Sequence, residues 1–274
     1  MSLRDAPIGV FDSGFGGLNI LAALHDLLPG EDLVYVGDSA RSPYGSRRAE
    51  EVVRFSLEIG TWLVREAGVK MVVVGCNTAS AVALEALSDQ LPVPVIGVVG
   101  AGARAARRLG PRAVIGIIGT ERTIDSGAYQ RALGERDTVA VACPGLVELV
   151  EAGEVEGPRV EAILRERLAP IIEAKARGLL LGCTHYPYLA RSLRRVLGPD
   201  VVLISPAEET AFDVREGLIS LGLDNTRGHG SVRFWCTGDP EVFRRIGTRL
   251  YPEPLEVVEH LDLAVLASVW RASA

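Results

Sequence analysis

Lysine is almost missing from this chain. Of its 29 basic residues only Lys70 and Lys175 are lysines. Lys70 precedes an apolar run that reads as a buried strand, and Lys175 lies in a solvated helical pattern, so neither is placed for the Schiff base that pyridoxal phosphate requires. Cysteine and histidine are scarce too, at four each, with no Cys-x-x-Cys pair and no His-x-x-x-His spacing. That argues against a zinc site. The four cysteines lack framework spacing and read as reduced thiols rather than disulfides. No apolar run approaches the ~20 residues of a membrane span. The opening MSLRDAPIGVF lacks a basic region followed by an apolar stretch, so no signal peptide is expected and the chain reads as cytoplasmic. A net charge of −6 argues against a nucleic-acid surface.

What is present is alternation. Short β-branched runs at 8–12, 33–37, 71–75, 95–99, 114–118, 139–142, 179–182, 201–204 and 232–236 predict strands. Helical patterns lie between most of them, as at 18–28, 49–67, 79–91 and 159–176. Continuous apolar strands spaced by helices imply parallel sheets covered on both faces. One large sheet would satisfy the pattern, but a duplication satisfies it better. IGVFDSG opens one half, VIGIIGT opens the other, and each reaches a Gly-Cys turn after two intervening helices. The expectation is therefore α/β, with two similar lobes, each a mainly parallel sheet flanked by helices. The first lobe takes residues 1–99 plus 208–274, and the second takes 100–207. Ligands of open parallel sheets bind beyond the C-terminal strand ends, which places the site in the interlobe cleft.

The two Gly-Cys turns resemble each other. VVVGCNTASAVALEAL carries Cys76 and LLLGCTHYPYLARSL carries Cys183. Each reads as strand, tight turn, helix, with Asn77, Thr78 and Thr184 as helix-start residues and Pro187 in a first helical turn. A thiol at a helix start feels unpaired N–H groups and the positive dipole end, which lowers its pKa toward usefulness as a base. A lone cysteine is usually an inert core residue. Two in matched turns can address one bound molecule from opposite sides, as inversion of a stereocentre requires. Cys143 and Cys236 lack such context and read as core.

Asp12 ends its strand at the level of the thiols, followed by a Gly-rich turn that fits neither the dinucleotide fingerprint nor a phosphate loop. GDSARSPYGSR at 37–47 reads as a loop suited to gripping a small polar ligand, and His185 stands two residues past Cys183. Glu151 reads as a residue on a helix face.

These segments carry a family resemblance. FDSGFGGL, GDSARSPYG, GCNTASA, GTERTIDSGAY and LGCTHYPYL, with SPAEETA more weakly, resemble the cofactor-independent aspartate/glutamate racemases, in order along nearly the whole chain. The resemblance implies two α/β lobes around one amino-acid site. It implies that Cys76 and Cys183 are the acid/base thiols, Cys76 acting on D-glutamate and Cys183 on L-glutamate, assisted by Asp12 and His185 respectively. It implies substrate binding by Asp12, Ser13, Tyr44, Gly45, Asn77, Thr78, Thr184 and His185, with Thr120, Thr123 and Glu151 as further contacts. It implies no cofactor and no metal, and a product, D-glutamate, used in peptidoglycan synthesis. Asn19 and Ser42 depart from the pattern, which has Thr and Val there, and Ser205-Pro206 replaces Asp-Ser. Expected partners are the small-molecule substrate, glutamate, and a second copy in a homodimer, with neither nucleic acid nor membrane. Two alternatives stand beside this reading: a racemase for aspartate or another amino acid, and a non-catalytic amino-acid-binding regulatory protein on the same fold.

Overall fold

The computed structural model describes residues 3–225 and 228–273. The first part of the chain forms β1 (Ile8–Asp12), α1 (Leu18–Leu27), β2 (Leu33–Gly37), α2 (Ala49–Arg65), β3 (Met71–Val74), α3 (Asn77–Val82), α4 (Leu84–Gln90) and β4 (Val95–Gly97). Next come α5 (Val98–Arg107), β5 (Ile115–Gly119), α6 (Glu121–Asp125), α7 (Ala128–Leu133), β6 (Thr138–Ala142), α8 (Leu146–Ala152), α9 (Pro158–Glu173), β7 (Gly178–Gly182), α10 (Ala190–Leu197) and β8 (Val202–Ile204). The chain finishes with α11 (Ala207–Leu221), β9 (Val232–Cys236), α12 (Pro240–Gly247), β10 (Val258–His260) and α13 (Leu263–Arg271). Short 3-10 turns at Tyr44–Ser46 and Tyr186–Leu189 matter for the site.

Among the described residues two separate sheets form, and every strand pair is parallel. The first runs β10-β9-β2-β1-β3-β4 and the second runs β6-β5-β7-β8. β1, β2, β3, β5 and β7 are buried at every position, as strands covered on both faces must be. The chain crosses between sheets through α5 and α11, and these two helices pack on each other.

Register places the chemistry. Asp12 pairs with Gly37 across β1 and β2, while Phe11 pairs with Val74, the last residue of β3. The Gly75 N–H then bonds to the Phe11 carbonyl at 2.9 Å, so Cys76 emerges beside Asp12. In the second sheet Gly119 pairs with Gly182 and with Ala142, which brings Thr120, Cys183 and Cys143 to one edge. Both sheets thus present their C-terminal ends to the cleft.

Three local expectations fail. The 95–99 run is strand only to Gly97, and α5 starts at Val98 with the Val99 N–H on Ser80 Oγ at 3.3 Å. A short apolar run fits a buried helix as well as a buried strand. The 79–91 helix is two helices, α3 and α4, broken at Ala83, whose φ is −115°. The halves are not equal in helices either: α1 and α2 precede Cys76, whereas α6, α7, α8 and α9 precede Cys183. The strand β10 has no counterpart among the expected strands, being three residues at a sheet edge of which Glu259 and His260 are exposed.

Lys70 has a structural task. Its Nζ donates to Glu31 Oε2 at 2.5 Å, to the Arg4 carbonyl at 2.7 Å and to the Leu223 carbonyl at 2.9 Å, and both charged groups are buried. Breaking such a pair strands a buried charge and typically costs about 3–5 kcal/mol, whereas replacing both partners costs far less. Lys70→Met should therefore lower unfolding free energy by about that amount in denaturant titrations, and Lys70→Met with Glu31→Met should recover most of it. Equal losses in the single and double variants would contradict this assignment.

Candidate active site

The first wall of the cleft is built on β1 and β3. Asp12 is fully buried, and its Oδ2 accepts the Gly14 N–H at 3.0 Å, the local bond that turns an aspartate-ended strand into a loop. Burial pushes the Asp12 carboxyl above its usual range, against the pull of His185 and of the N–H groups of Gly17, Gly14 and Ser13. Cys76 caps α3, its Sγ accepting the Ala79 N–H at 3.5 Å. The helix start does not make this thiol acidic. Burial and then the Asp12 charge push it up to about 12, outweighing the N–H of Ala79 and the groups of Ser13. A long, weak bond to sulfur is a small return for removing a thiolate from water.

The second wall differs from its sequence twin. No α-helix begins at Cys183; the chain bends, passes through the 3-10 turn Tyr186–Leu189 with Pro187 inside it, and only then enters α10. The Tyr186 N–H bonds back to the Cys183 carbonyl at 3.1 Å, and the Tyr186 hydroxyl donates to the Cys143 carbonyl at 3.0 Å. In place of a dipole Cys183 has an imidazole: His185 Nδ1 lies 3.8 Å from its Sγ, and Nε2 lies 3.0 Å from Glu151 Oε1. Burial works against protonating His185, but its bonds to Cys183 and Glu151 and the nearby Asp12 outweigh it, pushing the ring up to about 10. When protonated, the ring directs a donor at the thiol.

The walls meet directly. A Cβ on Gly16 would lie 2.3 Å from Thr184 Oγ1 and 2.5 Å from His185 Nδ1, and one on Gly45 would lie 2.5 Å from Thr120 Cβ. Thr78 Oγ1 sits 2.9 Å from Thr120 Oγ1 and 3.1 Å from Thr123 Oγ1, which are 2.9 Å from each other. Asn77 Nδ2 donates to the Tyr129 hydroxyl at 2.5 Å. Asn19, one of the departures from the family pattern, donates to the Thr184 carbonyl at 2.6 Å, and Thr184 Oγ1 reaches Asp12 Oδ1 at 3.4 Å.

Between them lies a cavity of about 20 Å³, room for about one water molecule. Ser13, Tyr44, Gly45, Cys76, Asn77 and Thr78 line it from the first sheet, and Thr120, Cys183, Thr184 and His185 from the second. Asp12 stands behind this wall beside Cys76 and Thr184, and Glu151 behind His185. Ser42, the other departure, is on the wall. Among the described residues no group of three or more His, Cys, Asp or Glu side chains is arranged to hold a metal.

Sequence reasoning missed what lies under the Tyr44 loop. Asp38 is fully buried and accepts from Arg41, Tyr44 and Thr237. Thr237 follows β9, almost two hundred residues away, so no local pattern could reveal it. Tyr129, the last residue of the GTERTIDSGAY segment, fixes Asn77 with its hydroxyl, a pairing that the segment itself does not signal.

Two outcomes test this geometry. Gly16→Ala should hold the lobes apart, seen as faster amide exchange across 183–189 with an unchanged unfolding midpoint; unaltered exchange would contradict the close approach. The raised His185 gives a signed pH dependence. Its contribution to stability is complete below its ordinary value of 6.5 and is lost as pH rises through about 10. The melting-temperature gap between wild type and His185→Asn should therefore narrow across that window, and a gap that widens would refute the assignment.

Comparison with known proteins agrees with this architecture. Residues 18–212 match the family model described as Asp/Glu/Hydantoin racemase. A glutamate racemase of Thermus thermophilus is 47% identical over 261 residues, covering 95% of this chain and 98% of the relative. The crystal structure of a glutamate racemase isoform from Bacillus anthracis superposes with a TM-score of 0.91 at 38% identity, covering 95% of this chain and 98% of that one. A glutamate racemase from Francisella tularensis, solved in complex with D-glutamate, gives a TM-score of 0.90 at 33% identity over 97% of this chain and 99% of its own. The chain belongs to the Asp/Glu/Hydantoin racemase family.

Proposed function

We propose that this racemase interconverts L- and D-glutamate through two opposed thiols. The observation that carries the reading is the cavity itself: Cys76 and Cys183 line it from different sheets, both buried, each with its own acid/base neighbour. The relatives named glutamate racemase, and the D-glutamate complex of one of them, support glutamate as the substrate.

In the proposed reaction with L-glutamate, Cys183 as thiolate takes the α-proton while Cys76 as thiol delivers its own proton to the opposite face. The His185 imidazolium balances the thiolate, and burial keeps Cys76 protonated and ready to donate. The product is D-glutamate, with the proton now on Cys183 and the charge on Cys76. With D-glutamate the roles reverse: Cys76 as thiolate takes the proton and Asp12 assists. The substrate ammonium offsets the charge that burial otherwise forbids on Cys76. Ser13, Tyr44, Gly45, Asn77, Thr78 and Thr184 hold the substrate, Tyr44 through its place on the wall because its hydroxyl is given to Asp38, and the Ser13, Thr78 and Thr184 hydroxyls face the developing carbanion in the closed site. A cavity of about 20 Å³ is too small for an amino acid, so the lobes open to admit it.

On the same reading the moving bodies are residues 1–99 plus 208–274 and residues 100–207, joined through α5 and α11. The enzyme supplies D-glutamate for peptidoglycan in the cytoplasm, as a homodimer without a nucleic-acid partner. The −6 charge supports the last point. No helix among the described residues is long and apolar enough to cross a membrane, and α11 leaves Phe212, Ile219 and Leu221 exposed, apolar surface of the kind a second copy covers.

Cys76→Ser and Cys183→Ser should each slow racemisation from either enantiomer by about 10²–10⁴-fold, read by polarimetry without added cofactor. Full activity in either variant would overturn the two-thiol scheme. In a panel of L-amino acids glutamate should have the highest kcat/KM, and a preference for aspartate would overturn the substrate assignment.

A further inference from the structure

Besides Lys70 and Glu31, a second buried charge cluster takes no part in these proton transfers. Arg41, in the loop after β2, is buried with two carboxylates. Its Nε donates to Asp38 Oδ2 at 2.7 Å and its Nη1 to Glu58 Oε2 on α2. Its guanidinium lies 4.1 Å from the centre of the Phe55 ring. Asp38 is shared further: Oδ2 also accepts the Tyr44 hydroxyl, and Oδ1 accepts Thr237 Oγ1 at 2.7 Å. Thr237 Oγ1 in turn accepts the Ala40 N–H at 3.0 Å.

The cluster therefore runs from a rigid helix to the cavity wall: Glu58, Arg41, Asp38, Tyr44. Tyr44 and Gly45 form that wall, and Gly45 abuts Thr120 of the other lobe. The planar guanidinium joins two carboxylates in one fixed geometry, which a lysine ammonium does not reproduce. A buried ion cluster is often no more stabilising than an apolar filling, which leaves geometry as what this one can contribute. Here the geometry is the height of the loop over the site.

We propose that Arg41 is a positioning residue for substrate binding: through Asp38 it sets the Tyr44–Gly45 edge of the cavity and so governs how tightly substrate is held, not how fast the proton moves. The proposal rests on the racemase reading of the same cavity. Arg41→Lys keeps the charge but not the fork, Glu58→Gln keeps a hydrogen bond to Arg41 but removes a charge, and Tyr44→Phe cuts the last link.

The test is kcat and KM in both directions for wild type and these three variants, with melting temperatures. Arg41→Lys should raise KM for both enantiomers by about tenfold while kcat changes by less than about threefold and the pH profile of kcat stays in place. Tyr44→Phe should do the same, and Glu58→Gln should do so more mildly. Adding Tyr44→Phe to Arg41→Lys should raise KM little further, because both act through Asp38. A lower melting temperature with unchanged KM would reduce Arg41 to a structural role and overturn the proposal. So would a fall in kcat at unchanged KM. If Arg41→Lys does not fold, Glu58→Gln and Tyr44→Phe decide the matter. Wild type measured alongside separates the two readings: an inactive wild type refutes the racemase assignment, whereas an active wild type with unmoved KM in the variants refutes only this proposal.

Discussion

Backbone meets side chain across the cleft at Gly16 and Gly45, and the site depends on those two approaches. Any side chain at either position would strike Thr184 and His185, or Thr120. Because they are bare, the C-terminal edges of two separate parallel sheets come close enough to share a cavity of about 20 Å³. The hydroxyls of Thr78, Thr120 and Thr123 then bond across the gap, and Asn77 finds Tyr129. Burial follows from that closeness, and the electrostatics follow from burial. Burial is the largest influence on Asp12, Cys76 and His185 alike.

The two thiols look equivalent in sequence and are not equivalent in space. Cys76 has the helix start, yet burial and Asp12 hold it protonated. Cys183 has no helix start, yet it faces the His185 ring, which Glu151 braces and which its surroundings draw toward the charged form. The contribution of a helix terminus is typically under about 1 kcal/mol, while full burial of a charged group is worth several times that, so position in a cap was the weaker guide. The surroundings of the two thiols are therefore asymmetric, Asp12 and a helix start on one side and His185 with Glu151 on the other.

Much of this was legible in the sequence because parallel strands buried on both faces leave a continuous apolar signal. That signal marks the strands that hold Asp12 and Gly37 and those that lead into Cys76 and Cys183, and the duplicated Gly-Cys turns point to two lobes rather than one sheet. What escaped was non-local or ambiguous. The end of β4 merged with α5 because VIGVV suits either state. The break at Ala83 leaves no glycine or proline as a marker. The 3-10 turn after Cys183 replaced an expected helix because its twin motif, at Cys76, begins one. Thr237 on Asp38, Glu58 on Arg41 and Tyr129 on Asn77 join residues far apart in the chain, and periodicity carries no information about such pairs.

The account stands on two thiols acting from opposite faces, and proton traffic reports on that most directly. Each enantiomer of glutamate would be followed in deuterium oxide at low conversion, with isotope content measured separately in product and in recovered substrate. Two opposed thiols predict deuterium at Cα of the product while recovered substrate stays unlabelled, since the proton taken from one face is not returned there. Deuterium accumulating in recovered substrate as fast as in product, or product that keeps its protium, would contradict the account.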